Sequence, residues 1–190
     1  MCRRSAYLFS IALACFLQTW ANAAPEDHLV LHLPFDEGSG SVTADESPAG
    51  HQVTLGGSYQ WTAGLFGQAV AFTGGQATVV DSDPLNIPLI TVMAWVNPTA
   101  IIAATAPNHY TDIDSVYAKA GSDDDSVRLG LTGGDGVHWY IDTGSDNNLS
   151  RPDAGLQLGE WHHIAGTFDG TTSRLFLNGE QIGEMPVSGT

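Results

Sequence analysis

Residues 161–179 read Trp161-His162-His163-Ile164-Ala165-Gly166-Thr167-Phe168-Asp169-Gly170-Thr171-Thr172-Ser173-Arg174-Leu175-Phe176-Leu177-Asn178-Gly179, and this stretch decides the fold class. Two β-runs are punctuated by Asp169-Gly170 and Asn178-Gly179. Such dipeptides between alternating apolar residues mark hairpins, because their positive φ angles let the turn follow the twist of the strands it joins. Neighbours along a strand point to opposite faces, so His162 and His163 are poorly placed to share one metal ion.

The same pattern extends outward. Leu29, Leu31, Leu33 and Phe35 alternate with Val30, His32, Pro34 and Asp36, predicting a strand with one buried face. Ala69–Phe72 and Ala77–Val80 flank Gly74-Gly75 as a predicted hairpin, Ile90–Val96 is a further strand, and Gly133-Gly134-Asp135-Gly136 turns Val127–Leu131 into Val137–Ile141. Residues 99–114 are the least regular stretch and are expected to form a long loop or a short helical turn. From His28 onward no segment sustains a period of 3.6, and glycine and proline recur too often for long helices. Short strands separated by glycine-rich turns predict an all-β antiparallel sandwich.

At the N-terminus, Arg3 and Arg4 precede the apolar run Ala6–Phe16, and Ala21-Asn22-Ala23 supplies the small residues that a signal peptidase reads. Residues 1–23 are therefore expected to be a secretory signal peptide, and residues 24–190 one mature domain of 167 residues, secreted or periplasmic and without membrane insertion. Cys15 is a poor match to an acylated lipoprotein cysteine, because the apolar run continues through Phe16-Leu17. Both cysteines, Cys2 and Cys15, lie in the segment expected to be removed, which leaves no disulfide and makes the core the source of stability. The mature chain keeps four basic residues (Lys119, Arg128, Arg151, Arg174) against 21 acids, a formal charge of 4 − 21 = −17. Nucleic acid is disfavoured as a partner.

The Trp-His-His strand running through Asp-Gly into Leu-Phe-Leu-Asn-Gly resembles the signature of laminin-G-like jelly-roll domains, in the concanavalin A-like lectin and glucanase group. His32–Gly40 resembles the first strand and turn of that family, Ala44-Asp45-Glu46-Ser47 followed by residues 50–55 its Asp-x-Ser loop and second strand, Gly67–Phe72 its Gly-x-Ala-Val strand, and Thr91–Val96 its central strand. The resemblance spans residues 28 to about 183 and implies a two-sheet jelly-roll sandwich. The family ordinarily continues past the Asn-Gly hairpin with further strands, so the resemblance implies a domain lacking its last strands, with an unpaired edge around residues 29–35.

The resemblance also implies chemistry. Many such domains bind one calcium ion through the Asp of the Asp-x-Ser loop, here Asp45, with oxygens from the first turn, here Asp36 or Glu37. The alternative is that Asp45 caps its own turn. Asp123-Asp124-Asp125 lacks the spacing of a calcium loop and reads as a solvated turn. Glycan binding is the second candidate, since sugars are held by aromatic faces and by carboxylates and amides that bond their hydroxyls. In the 137–141 strand, alternation puts Val137, Trp139 and Ile141 on one face and His138, Tyr140 and Asp142 on the other, with Arg128 beside them from the adjoining strand. If the first face is core, those four line an open surface. The alternative there is a solvated sheet face with no ligand. Asn108 and Tyr110 in the long loop are further candidates, whereas Trp61, Trp95, Trp139 and Trp161 are expected in the core.

Glucanases of the group carry paired carboxylates as Glu-x-Asp-x-x-Glu, and no such spacing occurs here. The expectation is a non-catalytic recognition module for glycan or extracellular protein. An adhesive segment of a larger surface protein and a glycoside hydrolase are the alternatives.

Overall fold

A computed structural model describes residues 28–82, 85–86, 88–101, 113–120, 125–133 and 136–187. The signal-peptide expectation, Asn108, Tyr110, Asp123 and Asp124 lie outside the described residues.

Among the described residues thirteen strands follow one another: β1 (Val42–Ala44), β2 (Gln52–Gly56), β3 (Tyr59–Ala63), β4 (Gln68–Phe72), β5 (Gln76–Val79), β6 (Ile90–Val96), β7 (Ile113–Ala120), β8 (Asp125–Thr132), β9 (Gly136–Asp142), β10 (Asp146–Arg151), β11 (His162–Phe168), β12 (Thr172–Leu177) and β13 (Glu180–Pro186). All pairings are antiparallel. Two four-stranded sheets, ordered β10-β9-β8-β7 and β13-β12-β11-β6, face each other, and the smaller sheets β1-β2-β5 and β3-β4 complete the molecule.

The Asn178-Gly179 turn forms as its sequence dictates, with φ of 51° and 85° at the two central residues, the positive values that a two-residue hairpin loop requires. At the preceding turn, Asp169 Oδ1 accepts from the backbone N–H groups of Thr171 and Thr172, at 3.0 and 2.8 Å, and Arg174 Nη1 donates to Oδ2 at 2.6 Å. These contacts hold the Asp169 carboxyl well below the usual carboxylate range, the Arg174 bond first among them.

Alternation then builds the core. Val127, Leu129 and Leu131 of β8, Val137, Trp139 and Ile141 of β9, and Leu149 of β10 face Ile90 of β6, Ile164 and Phe168 of β11, and Leu175 and Leu177 of β12. The sheets approach closely where Trp139 meets Gly166, since a Cβ on that glycine would lie 2.2 Å from the indole carbons Cδ2 and Cε3. At one edge Arg151 ties the two layers together, Nε donating to the Ile182 carbonyl at 2.7 Å.

Two strand expectations are corrected. Residues 29–35 form no strand. The Asp45 carboxylate takes the His32 N–H, Glu46 N–H donates to the His32 carbonyl, and Phe35 turns to φ 58°, so at His32 a loop supplies the bonds that a ladder would have made. The segments flanking Gly74-Gly75 do not form a hairpin either. β4 pairs with β3 and β5 pairs with β2, and the glycines carry the chain between the two small sheets, where a Cβ on Gly75 would lie 2.6 Å from the carbonyl oxygens of Gly56 and Ser58.

Candidate functional site

Strand register places three of the four expected ligand residues, His138, Tyr140 and Arg128, on the outer face of the β10-β9-β8-β7 sheet, with Tyr140 directly opposite Arg128 on β8 and Asn148 on β10. Asp142 continues the same face at the end of β9, opposite Asp146. The face grades from exposed at Asp142 and Asp146 to buried at His138, which is 4% exposed, and Tyr140, at 2%. His138 and Tyr140 therefore do not line an open surface as expected, because β9 is the one strand of this sheet enclosed on both faces over most of its length. The Tyr140 hydroxyl donates to Asp146 Oδ1 at 2.8 Å. His138 Nδ1 bonds Ser150 Oγ at 2.7 Å, while its buried Nε2 has no hydrogen-bond partner. Burial, assisted by the nearby Arg128 charge, pushes this imidazole down to about 4, so at neutral pH it is uncharged.

Asp142 and Asp146 are directly opposed across β9 and β10 on this face. Both are exposed, and Asp142 caps its own turn by accepting the Gly144 N–H at 2.8 Å.

The residues expected at a calcium ion do not fit one. Asp45 Oδ1 accepts from His32 N and Ser47 N, both at 2.9 Å, and Oδ2 from Ser47 Oγ at 2.9 Å, His51 N at 2.8 Å and His51 Nδ1 at 2.7 Å. A carboxylate has about four lone-pair sites, so this fully buried side chain has none left for a cation. Burial alone would raise its pKa, but the N–H donors of His32, His51 and Ser47 outweigh burial and hold the carboxyl far below the usual range. Asp36 Oδ1 accepts the Gln68 N–H at 2.7 Å and so caps β4. Glu37 Oε1 accepts from Ala44 N at 2.6 Å and from Thr43 Oγ1 at 2.9 Å, holding the end of β1. Among the described residues no group of three or more histidine, cysteine or acidic side chains could hold a metal ion.

His51 completes this loop closure, since its Nε2 lies 2.8 Å from Ser82 Oγ. The Asp45, His51, Ser82 order is that of a hydrolase triad. The Ser82 carbonyl also accepts from Leu85 N and the Asn86 amide, and Lys119 Nζ reaches Asp81, Leu85 and Asn86. These bonds form a network that ties Asp81, Ser82, Leu85 and Asn86 to His51, just before β2, and to Lys119 of β7.

A feature missed in the sequence lies on the outer face of the other sheet. Trp95 is 47% exposed and Phe66, in the β3-β4 turn, 72%. Their rings meet edge to face at 6.0 Å and 78°, and His163 packs on Trp95 at 5.3 Å and 62°. The core expectation holds for Trp139, which is fully buried, and fails for Trp95. Ile90, Val92, Ala94 and Val96 take the inner side of β6, so Thr91, Met93 and Trp95 point outward. Trp61 is half-buried away from the main core, its Nε1 donating to the Gly40 carbonyl at 2.9 Å, and Trp161 is also half-buried.

A family model described as the concanavalin A-like lectin/glucanases superfamily matches residues 72–190, from the end of β4 through every strand of the two main sheets. The chain belongs to this superfamily. Its fold is accordingly the concanavalin A-like jelly-roll sandwich, shared by lectin-type modules and by glycoside hydrolases. Two solved structures show the same fold. Domain 4 of AbnA, a GH43 extracellular arabinanase from Geobacillus stearothermophilus determined in complex with arabinotriose, superposes with a TM-score of 0.59 at 17% identity, covering 83% of this chain and 75% of that one. An S-layer domain-containing protein from Clostridium thermocellum superposes with a TM-score of 0.51 at 21% identity, covering 82% and 71%. No curated protein sequence matches the chain.

Proposed function

We propose that this concanavalin A-like domain is a secreted, non-catalytic recognition module that binds carbohydrate on the outer face of the β10-β9-β8-β7 sheet. His138, Tyr140, Asp142 and Arg128 contact the ligand. The observation that carries the proposal is the buried, neutral His138 with an unanswered Nε2 at the closed end of a polar row. A buried polar atom without a partner is costly, and a sugar hydroxyl, which can both donate and accept, would answer it whichever tautomer the ring adopts. The exposed Asp142 end of the row is the side from which a ligand enters, and an uncharged ligand suits a chain of formal charge −15. The likeness to an arabinanase domain solved with arabinotriose agrees with this ligand class.

The test is calorimetric titration with neutral oligosaccharides against wild type, His138→Ala and Tyr140→Phe. Saturable binding weakened at least about tenfold by either substitution supports the site, whereas binding indifferent to both removes it. Turnover of an oligosaccharide that is lost in Asp142→Asn or Asp146→Asn, or fluorophosphonate labelling lost in Ser82→Ala, would make the protein an enzyme and overturn the non-catalytic reading.

A further inference from the structure

We infer that Trp95 and Phe66 form a second binding surface, a stacking platform for an uncharged saccharide on the outer face of the β13-β12-β11-β6 sheet. The ligand class rests on the carbohydrate reading above; the surface is separate from it. Trp95 and Met93 project from the same side of edge strand β6, and Phe66 reaches Trp95 from the β3-β4 turn. The indole is flanked by two rings at steep angles, so its orientation is fixed before a ligand arrives and little freedom is lost on binding. The face of an aromatic ring is electron-rich, and it attracts the weakly positive C–H side of a sugar ring.

Register defines what surrounds the platform. Beside Trp95 on β11 is His163, whose backbone pairs with Asn178, and beside Met93 lie Ala165, Phe176 and, on β13, Gln181. The first formally charged row is one step further along, where Arg174 opposes Thr167 and is already paired with Asp169 and Glu184. Apolar rings bordered by amide side chains suit a ligand with an apolar face and hydroxyl edges. A cation-binding cage would need carboxylates close by, and this row has none.

Two other occupants are less suited. A second copy would bring together chains that each carry a formal charge of −15, and the resulting repulsion opposes association. The exposed apolar surface of Leu65, Phe66, Met93 and Trp95 amounts to on the order of 400 Å² by their fractional exposures. A stable protein interface needs roughly 800 Å² per partner, whereas this area is ample for a short oligosaccharide.

The experiment titrates the full-length protein with arabinotriose, xylotriose and cellotriose, following intrinsic tryptophan fluorescence and heat, in wild type, Trp95→Ala, Trp95→Phe, Phe66→Ala and His138→Ala. Trp95 is half exposed on an outer face, so its removal leaves the core intact, and circular dichroism verifies that each variant folds. The inference predicts a saturable fluorescence change that weakens roughly tenfold or more in Trp95→Ala and is partly restored in Trp95→Phe. Binding that survives Trp95→Ala and is lost in His138→Ala overturns this inference while leaving the first site standing. Absence of saturable binding by any of the three sugars up to about 10 mM, where affinity falls below roughly −3 kcal/mol, overturns it as well. So does sedimentation showing a dimer that Trp95→Ala dissolves, which would assign the patch to a second copy, or binding of oligolysine that depends on Trp95.

Discussion

Gly166 of β11 faces Trp139 of β9 across the sandwich, and replacing it by alanine tests the packing directly. Its φ is not positive, so the backbone accepts a side chain. The added Cβ, however, would stand 2.2 Å from two indole carbons, about 1.3 Å inside the ~3.5 Å at which carbon atoms rest. Trp139 is fully buried, so its ring cannot swing into solvent and the sheets must separate or the rotamer must strain. Overpacking of this kind costs about 3 kcal/mol at the upper end of its usual range. The lower entropy of the unfolded alanine chain offsets about 0.5–1 kcal/mol. A net loss of about 2 kcal/mol lowers the Tm of a domain this size by about 4–8 °C, measurable by calorimetry or far-ultraviolet circular dichroism. In a Trp139→Leu background the obstacle is gone, and the same Gly166→Ala change should be neutral or stabilising, a coupling of at least about 2 kcal/mol. A Gly166→Ala Tm within about 1 °C of wild type, or the same loss in both backgrounds, would refute the claim that this contact sets the sheet spacing.

The other predictions concern protons and metal. His138 titrates at about 4 when folded and near 6.5 when unfolded, so between these values the unfolded chain binds the extra proton. Stability is complete above pH ~6.5 and falls by up to about 3 kcal/mol as pH drops toward 4; His138→Phe should flatten the Tm profile across that window. Asp45 acts at lower pH. Its depressed pKa contributes stability above the unfolded value near 3.9 that is lost as pH falls further, so Asp45→Asn should be less stable at neutral pH and less sensitive below pH ~4. Because Asp45 is saturated by N–H and O–H donors, about 1 mM calcium or EDTA should move the Tm by less than ~1 °C, while His51→Ala, which deletes a bond to a buried carboxylate worth about 2 kcal/mol, should lower it by about 4–8 °C. A calcium-induced rise of several degrees that disappears in Asp45→Ala would falsify this account of the loop.

The elements legible in the sequence were those whose signals are local. Asn178-Gly179 and Asp169-Gly170 set the last two hairpins without help from distant residues, and the alternation of β8 and β9 was enough to bring His138, Tyr140 and Arg128 to one face. Pairing partners were not legible: β4 and β5 look like two arms of a glycine hairpin, yet each finds its neighbour elsewhere. Residues 29–35 carry a strand pattern but no ladder, and at His32 the backbone N–H and carbonyl are taken by Asp45 and Glu46 instead. Parity along β6 was equally plain, but both of its faces are apolar. Which one turns inward depends on the opposing sheet, and that is why Trp95 was expected in the core. The one available signal was Thr91, whose polarity marks the Thr91, Met93, Trp95 side as the outer one.

Asp45 and His138 show why position alone does not make a site. Both were legible as candidates, and both are polar side chains buried in this structure. The buried carboxylate answers five donors and has no capacity to spare, so its free energy is committed to holding residues 32, 47 and 51 together. The buried imidazole answers one and leaves a nitrogen that folding has desolvated without compensation. A partner for Asp45 would have to displace existing bonds, while a partner reaching His138 Nε2 would displace none at that atom. That asymmetry, a property of saturation and not of residue type, is the physical ground for seeking the binding function on β9 and the structural function at the start of the chain's first sheet.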